Sequence, residues 1–206
     1  MNAQIPSREI RQRLMLTIHQ DGLLDILAGL IIATFGTIPL IDRTGMNPGV
    51  RSVIFLTTYL VEVLVIMWLK QRITMPRTGV VQLSRKTASP LARTLLAINI
   101  LLFLLFAGSY FFKFSLWELF GSFQLSVPLG LAFMVPLTAA GILLRAYRFS
   151  LYGLLVLGIY MTGEYLYHQG VLGEFGIPVS SFISAGIIIT TGVLCLRRFL
   201  RTYRVE

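Results

Sequence analysis

Three carboxylates interrupt runs that are otherwise free of charge: Asp25 within 23–41, Glu62 within 53–69 and Glu164 within 149–167. A carboxyl on an apolar helix is costly unless it is protonated, hydrogen-bonded, bound to a cation or faced by water. Such groups are therefore the first candidates for handling protons or ions. No Lys or Arg lies inside the apolar runs to pair with Glu62, and Thr58 and Tyr59, one turn away, are hydrogen-bonding groups in its reach. Seven residues separate Glu62 from Leu69, which puts it about 10 Å from the end of its helix. Asp25 and Glu164 are expected near opposite interfaces, so the three acids occupy three depths, as relay groups would. Glu62 is the strongest candidate for a functional role. Its plainer role is a protonated hydrogen-bonding link between helices.

Other chemistries find little support. His19 and His168 are expected on opposite sides of the membrane and cannot jointly hold a haem. A single cysteine, Cys195, allows no intrachain disulfide and, with two separated histidines, no zinc site. Gly121-Ser122 is not a nucleophile motif, and no phosphate-binding glycine loop is present. The two aspartates of Asp21-Gly22-Leu23-Leu24-Asp25 lack the further acids and arginine that lipid headgroup transferases combine with such a motif. The expectation is a protein without catalytic residues, metal or cofactor.

The elements that position these residues are membrane spans. Of 206 residues 55% are hydrophobic and only 13% charged, about half the charge of a soluble domain. Six uncharged or nearly uncharged runs, at about 23–41, 53–69, 95–112, 125–144, 149–167 and 177–196, each approach the length a helix needs to cross the hydrocarbon. The whole chain, 1–206, reads as one all-α transmembrane domain. The N-terminus is not expected to be a cleavable signal peptide. Ile10, Leu14, Met15 and Ile18 instead predict a short amphipathic helix on the bilayer surface, with Ser7 as its cap. Fifteen of the eighteen Lys and Arg flank the spans on one side, so the positive-inside rule predicts both termini and the 70–93 loop in the cytoplasm. Those cations favour contacts with anionic lipid headgroups and give no basic face for nucleic acid. Aromatic residues crowd 110–123, as expected of an interfacial belt or a re-entrant segment.

The 70–93 loop carries the most distinctive pattern, Ile73-Thr74-Met75-Pro76-Arg77-Thr78-Gly79-Val80-Val81. Pro76 and Gly79 suit a tight turn between residues of extended preference, so a β-hairpin over 73–83 is expected. Thr74, Pro76, Arg77 and Gly79 are its site candidates. Arg77 suits a phosphate, a lipid headgroup or a partner carboxylate, or simply holds the orientation. Gly29 and Ala33 form a small-xxx-small pair in the first span, with Gly36 nearby, a pattern that lets helices approach closely.

That segment, with Gln20-Asp21-Gly22-Leu23-Leu24-Asp25 opening the first span, resembles a group of uncharacterised bacterial membrane proteins. Their corresponding segments are of the Ile-Thr-Tyr-Pro-Arg-x-Gly-Tyr-Val and Asp-Gly-Leu-x-Asp types; Met75 and Val80 stand in place of the aromatics. The resemblance covers those two segments and the hydropathy of roughly the first ninety residues. It implies a multi-pass protein of the bacterial inner membrane and carries no established activity. Size and span number also look like those of substrate-capture subunits of energy-coupling-factor transporters, without a matching substrate motif. The expected function is an accessory or scaffold component that docks to a membrane partner or a second copy. The alternative is a small proton- or cation-linked transporter, channel or substrate-capture subunit using Glu62.

Overall fold

In hydrocarbon a chain must satisfy its own backbone hydrogen bonds, and a single stretch can do so only as a helix. The computed structural model describes residues 20–78 and 126–203. Helix α1 covers Leu23–Asp42 and α2 Pro48–Leu69. A five-residue π-helical segment, Lys70–Thr74, then leads into a single turn, α3, at Met75–Thr78. Helix α4 spans Ser126–Leu143, α5 Tyr147–His168 and α6 Gly176–Thr202, the last preceded by a 3₁₀ turn at Gly173–Phe175. Five helices are long and apolar enough to cross a membrane, and no strand occurs among the described residues.

Local sequence sets the boundaries. Asn47 caps α2 by accepting the Gly49 N–H at 2.8 Å, with Pro48 in the first turn where no N–H is required. The cap starts α2 at Pro48, ahead of the apolar run at 53. Helix α4 closes with the Ala146 N–H donating to Gly141 O at 2.9 Å, across Arg145 in the left-handed region (φ 53°). Helix α5 ends the same way, Val171 to Leu166 at 3.0 Å across Gly170. The first of these turns is short enough that α4 and α5 form an antiparallel hairpin.

The hairpin expected at 73–83 does not form over 73–78, because α2 continues through the π segment into α3 and keeps its backbone bonds local. Pro76 falls in the first turn of α3, where it is tolerated. The rest of that stretch, the third apolar run at 95–112, the aromatic stretch and the N-terminal amphipathic segment lie outside the described residues.

Helix α1 packs on α6, α4 on α5, and α5 on α6, while α2 leans on α1. Ile32, Phe133, Val156, Tyr160, Ala185 and Ile188 form the shared core. Phe35 stands edge-on to Phe133 at 5.0 Å and to Phe55 at 4.9 Å, which ties α2 to it. The α1–α6 seam is built on Gly22, Gly29 and Gly36, seven residues apart. A Cβ at Gly29 would lie 2.5 Å from Ile189 Cγ1, and one at Gly36 2.5 Å from Ser181 Cβ. From the other side, a Cβ at Gly192 would lie 2.9 Å from Gly22 O. Gly29 and Gly36 thus lie where α1 and α6 approach closely, whereas half-buried Ala33 packs against the side-chain core. Gly29→Leu should destabilise the detergent-purified protein by about 1–3 kcal/mol through overpacking. Gly186→Ala, where a Cβ meets open space, should leave the thermal midpoint unchanged; equal midpoints for the two variants would show that the seam is not the organising contact.

Candidate functional site

Asp21 lies just before the Gly22 N-cap of α1, and Asp25 lies in its first turn. Both are fully buried. Gly22, at φ 71°, turns the chain so that Asp21 Oδ1 accepts the Leu23 N–H at 3.1 Å. A Cβ at this glycine would also strike α6, at 2.8 Å from Cys195 Cβ, so both conformation and space call for glycine.

Each aspartate is met from a different direction. Thr74 Oγ1 donates to Asp21 Oδ2 at 2.8 Å, and Lys70 Nζ lies 3.5 Å from the same oxygen. Both partners come from the π segment, four residues apart. Asp25 Oδ2 lies 2.9 Å from Arg148 Nη2, in the first turn of α5. Arg148 Nη1 in turn donates to Cys195 Sγ of α6 at 3.6 Å, and Tyr152, one turn further along α5, is buried beside the pair. Two carboxylates and two cations thus compensate one another where four stretches of chain converge. A buried charge is tolerated only with such a partner. The two segments that stand out in the sequence, Asp21–Asp25 and Ile73–Arg77, meet here through the Thr74–Asp21 bond.

The other two acids are elsewhere. Glu62 Oε1 accepts from Thr34 Oγ1 of α1 at 2.5 Å. Its partner is therefore on the neighbouring helix and is neither Thr58 nor Tyr59, both of which are exposed. Thr34 is nine residues from Asp25 along α1, about 14 Å. Glu164 Oε2 accepts the Ser126 N–H at 2.8 Å, placing a carboxylate at the N-terminal end of α4, where the free N–H groups and helix dipole favour an anion. That contact lies at the far end of the bundle, as does Arg43 stacked over the Phe175 ring at 4.2 Å. The intramembrane acids thus occupy three levels and are not gathered into one site.

Of the loop candidates, Thr74 belongs to the cluster, and Arg77 Nη1 donates to Ile73 O at 3.0 Å, holding its own turn. Pro76 is exposed, and Gly79 lies outside the described residues. Sequence reasoning gave no site role to Asp21, Lys70, Arg148, Tyr152 or Cys195. The four-residue spacing of Asp21 and Asp25 was the available signal. Arg148 was hidden because the apolar run begins at Phe149, which assigns the arginine to a loop. No group of His, Cys, Asp and Glu suited to a metal occurs among the described residues.

Compared with protein-family models, curated proteins and solved structures, the chain matches none.

Asp25→Ala should destabilise the protein by about 3 kcal/mol, since it strands the Arg148 guanidinium. The double variant Asp25→Leu/Arg148→Met should recover much of that loss. A thermal-unfolding cycle showing simple additivity would mean that the two groups are not coupled.

Proposed function

We propose that the protein is a non-catalytic integral membrane component, an accessory or scaffold subunit that docks to a membrane protein partner or a second copy of itself. The observation that carries this reading is that each of Asp25, Glu62 and Glu164 is bonded to a group on a neighbouring helix, at a different level of the bundle. Asp25 pairs with Arg148, Glu62 accepts from Thr34, and Glu164 accepts the first described N–H of α4. Acids used this way hold helices in register. Docking is favoured by α2, whose Val53, Leu56, Leu60, Leu64 and Met67 are each more than half exposed, a face that suits lipid or another apolar helix.

The end of the bundle bearing the Asp21–Asp25 cluster carries eight of the ten described Lys and Arg: Lys70, Arg72, Arg77, Arg145, Arg148, Arg197, Arg198 and Arg201. The positive-inside rule makes that end cytoplasmic in a bacterial inner membrane, in keeping with the resemblance of the two sequence segments.

One observation favours proton- or cation-linked transport as a second reading: Glu62 Oε2 is buried with no hydrogen-bond partner among the described residues. Such an atom suits a proton or a bound cation. Gentle detergent purification from native membranes, with mass spectrometry of what accompanies the chain, separates the two. A stoichiometric partner or a defined homo-oligomer is expected. A lone monomer, joined with proton flux in vesicles that falls at least tenfold in Glu62→Gln, would overturn the scaffold reading in favour of transport.

A further inference from the structure

The last two turns of α6 carry Arg197, Arg198 and Arg201, all exposed, and none pairs with a carboxylate among the described residues. With Leu194 they line a shallow, open depression on the helix surface. At about 100° per residue, Leu194 and Arg201 lie almost one above the other, with Arg197 and Arg198 on either side a turn below Arg201. The line continues downward to Ile187, seven residues before Leu194; both Ile187 and Leu194 are exposed, at 42% and 60%. Ile187 and Leu194, with Thr190 and Thr191 between them on the same face, therefore lead directly into a fork of three guanidinium groups.

We propose that this face of α6 binds an anionic phospholipid, the phosphate held by Arg197, Arg198 and Arg201 and an acyl chain lying along Leu194 and Ile187. The charge pattern selects the occupant. Guanidinium groups match phosphate oxygens in a planar, bidentate way, and nothing negative in the described structure competes for them. A protein helix would need acids at the depth of the arginines and apolar side chains below. A phospholipid has that polarity built in, and it is present wherever the helix spans a bilayer. Arg148, the nearest cation in sequence that faces inward, is committed to Asp25 and Cys195, so the outward arginines are a separate group.

The test is native mass spectrometry of the full chain released from nanodiscs of equal parts phosphatidylglycerol and phosphatidylcholine. Wild type should retain phosphatidylglycerol over phosphatidylcholine, and Arg197→Gln/Arg201→Gln should lower that preference on the order of tenfold. Arg72→Gln is the control; this residue shares the same end of the bundle but lies against the Trp68 ring at 5.9 Å, and it should retain the wild-type preference. An equal fall in the control variant, or no phosphatidylglycerol preference in wild type, would overturn the proposal in favour of diffuse surface charge. Displacement of the lipid by millimolar inorganic phosphate would also overturn it, since the site would then read a free anion and not a lipid.

Discussion

Asp25 is fully buried, and its charge is met by Arg148 at 2.9 Å from another helix. An ionised carboxylate in such surroundings costs several kcal/mol when alone, so the pair constrains every element that touches it. Helix α1 cannot slide or rotate against α5 without exposing the carboxylate to hydrocarbon or stranding the guanidinium. Arg148 also reaches Cys195, so the end of α6 is tied to the same point. One turn earlier, Asp21 binds Thr74 and Lys70, fixing where α2 must finish. The ion pair and the Asp21 contacts therefore hold the basic end of the bundle as a unit.

The glycine seam and the ion pair act on the same helix and agree in geometry. Asp25 follows Gly22 by three residues and precedes Gly29 by four, so it lies on the flank of the glycine stripe. Seating that stripe on α6 aims Asp25 toward α5. Thr34 lies nine residues further on, about half a turn round the helix, and so faces away from Asp25. It is there that α2 approaches and Glu62 finds its hydrogen bond. Helix α1 is thus gripped on one side by close packing and an ion pair, and on the other by the Thr34–Glu62 bond, the Phe35–Phe55 contact and, at its far end, the Asp42–Arg51 ion pair. The asymmetry explains why α2 is the most exposed of the spanning helices.

Much of this was legible because hydropathy and helix length are local properties. The apolar runs at 23–41, 125–144, 149–167 and 177–196 became α1, α4, α5 and α6 with boundaries shifted by a few residues, and Gly29 and Gly36 were recognisable as points of close approach. What was not legible depends on partners distant in sequence. The Ile73–Arg77 pattern has the turn chemistry of a hairpin, yet Thr74 is needed on a helical segment that reaches Asp21. Tertiary contact overrode local preference. Arg148 looked like a loop cation because nothing within its own segment shows that a carboxylate 123 positions earlier, Asp25, awaits it. Glu164 read as an interfacial acid, and its bond to Ser126 is visible only when α4 and α5 are set antiparallel.

The distribution of polar groups bears on why such a bundle would carry acids at all. A relay needs its groups within hydrogen-bond reach of one another or of bridging water. Asp25 and Thr34, which marks the level of Glu62, are instead separated along α1 by about 14 Å of mostly apolar helix. Each acid satisfies a requirement of its own level: charge pairing at one end, a helix N-terminus at the other, and a single hydrogen bond between. In lipid, where apolar surface gives helices little reason to choose one neighbour over another, polar ties of this kind are among the few interactions that specify pairing. Asp25, Glu62 and Glu164 each tie two helices together in this way, while the apolar face of α2 carrying Leu56, Leu60 and Leu64 stays more than half exposed.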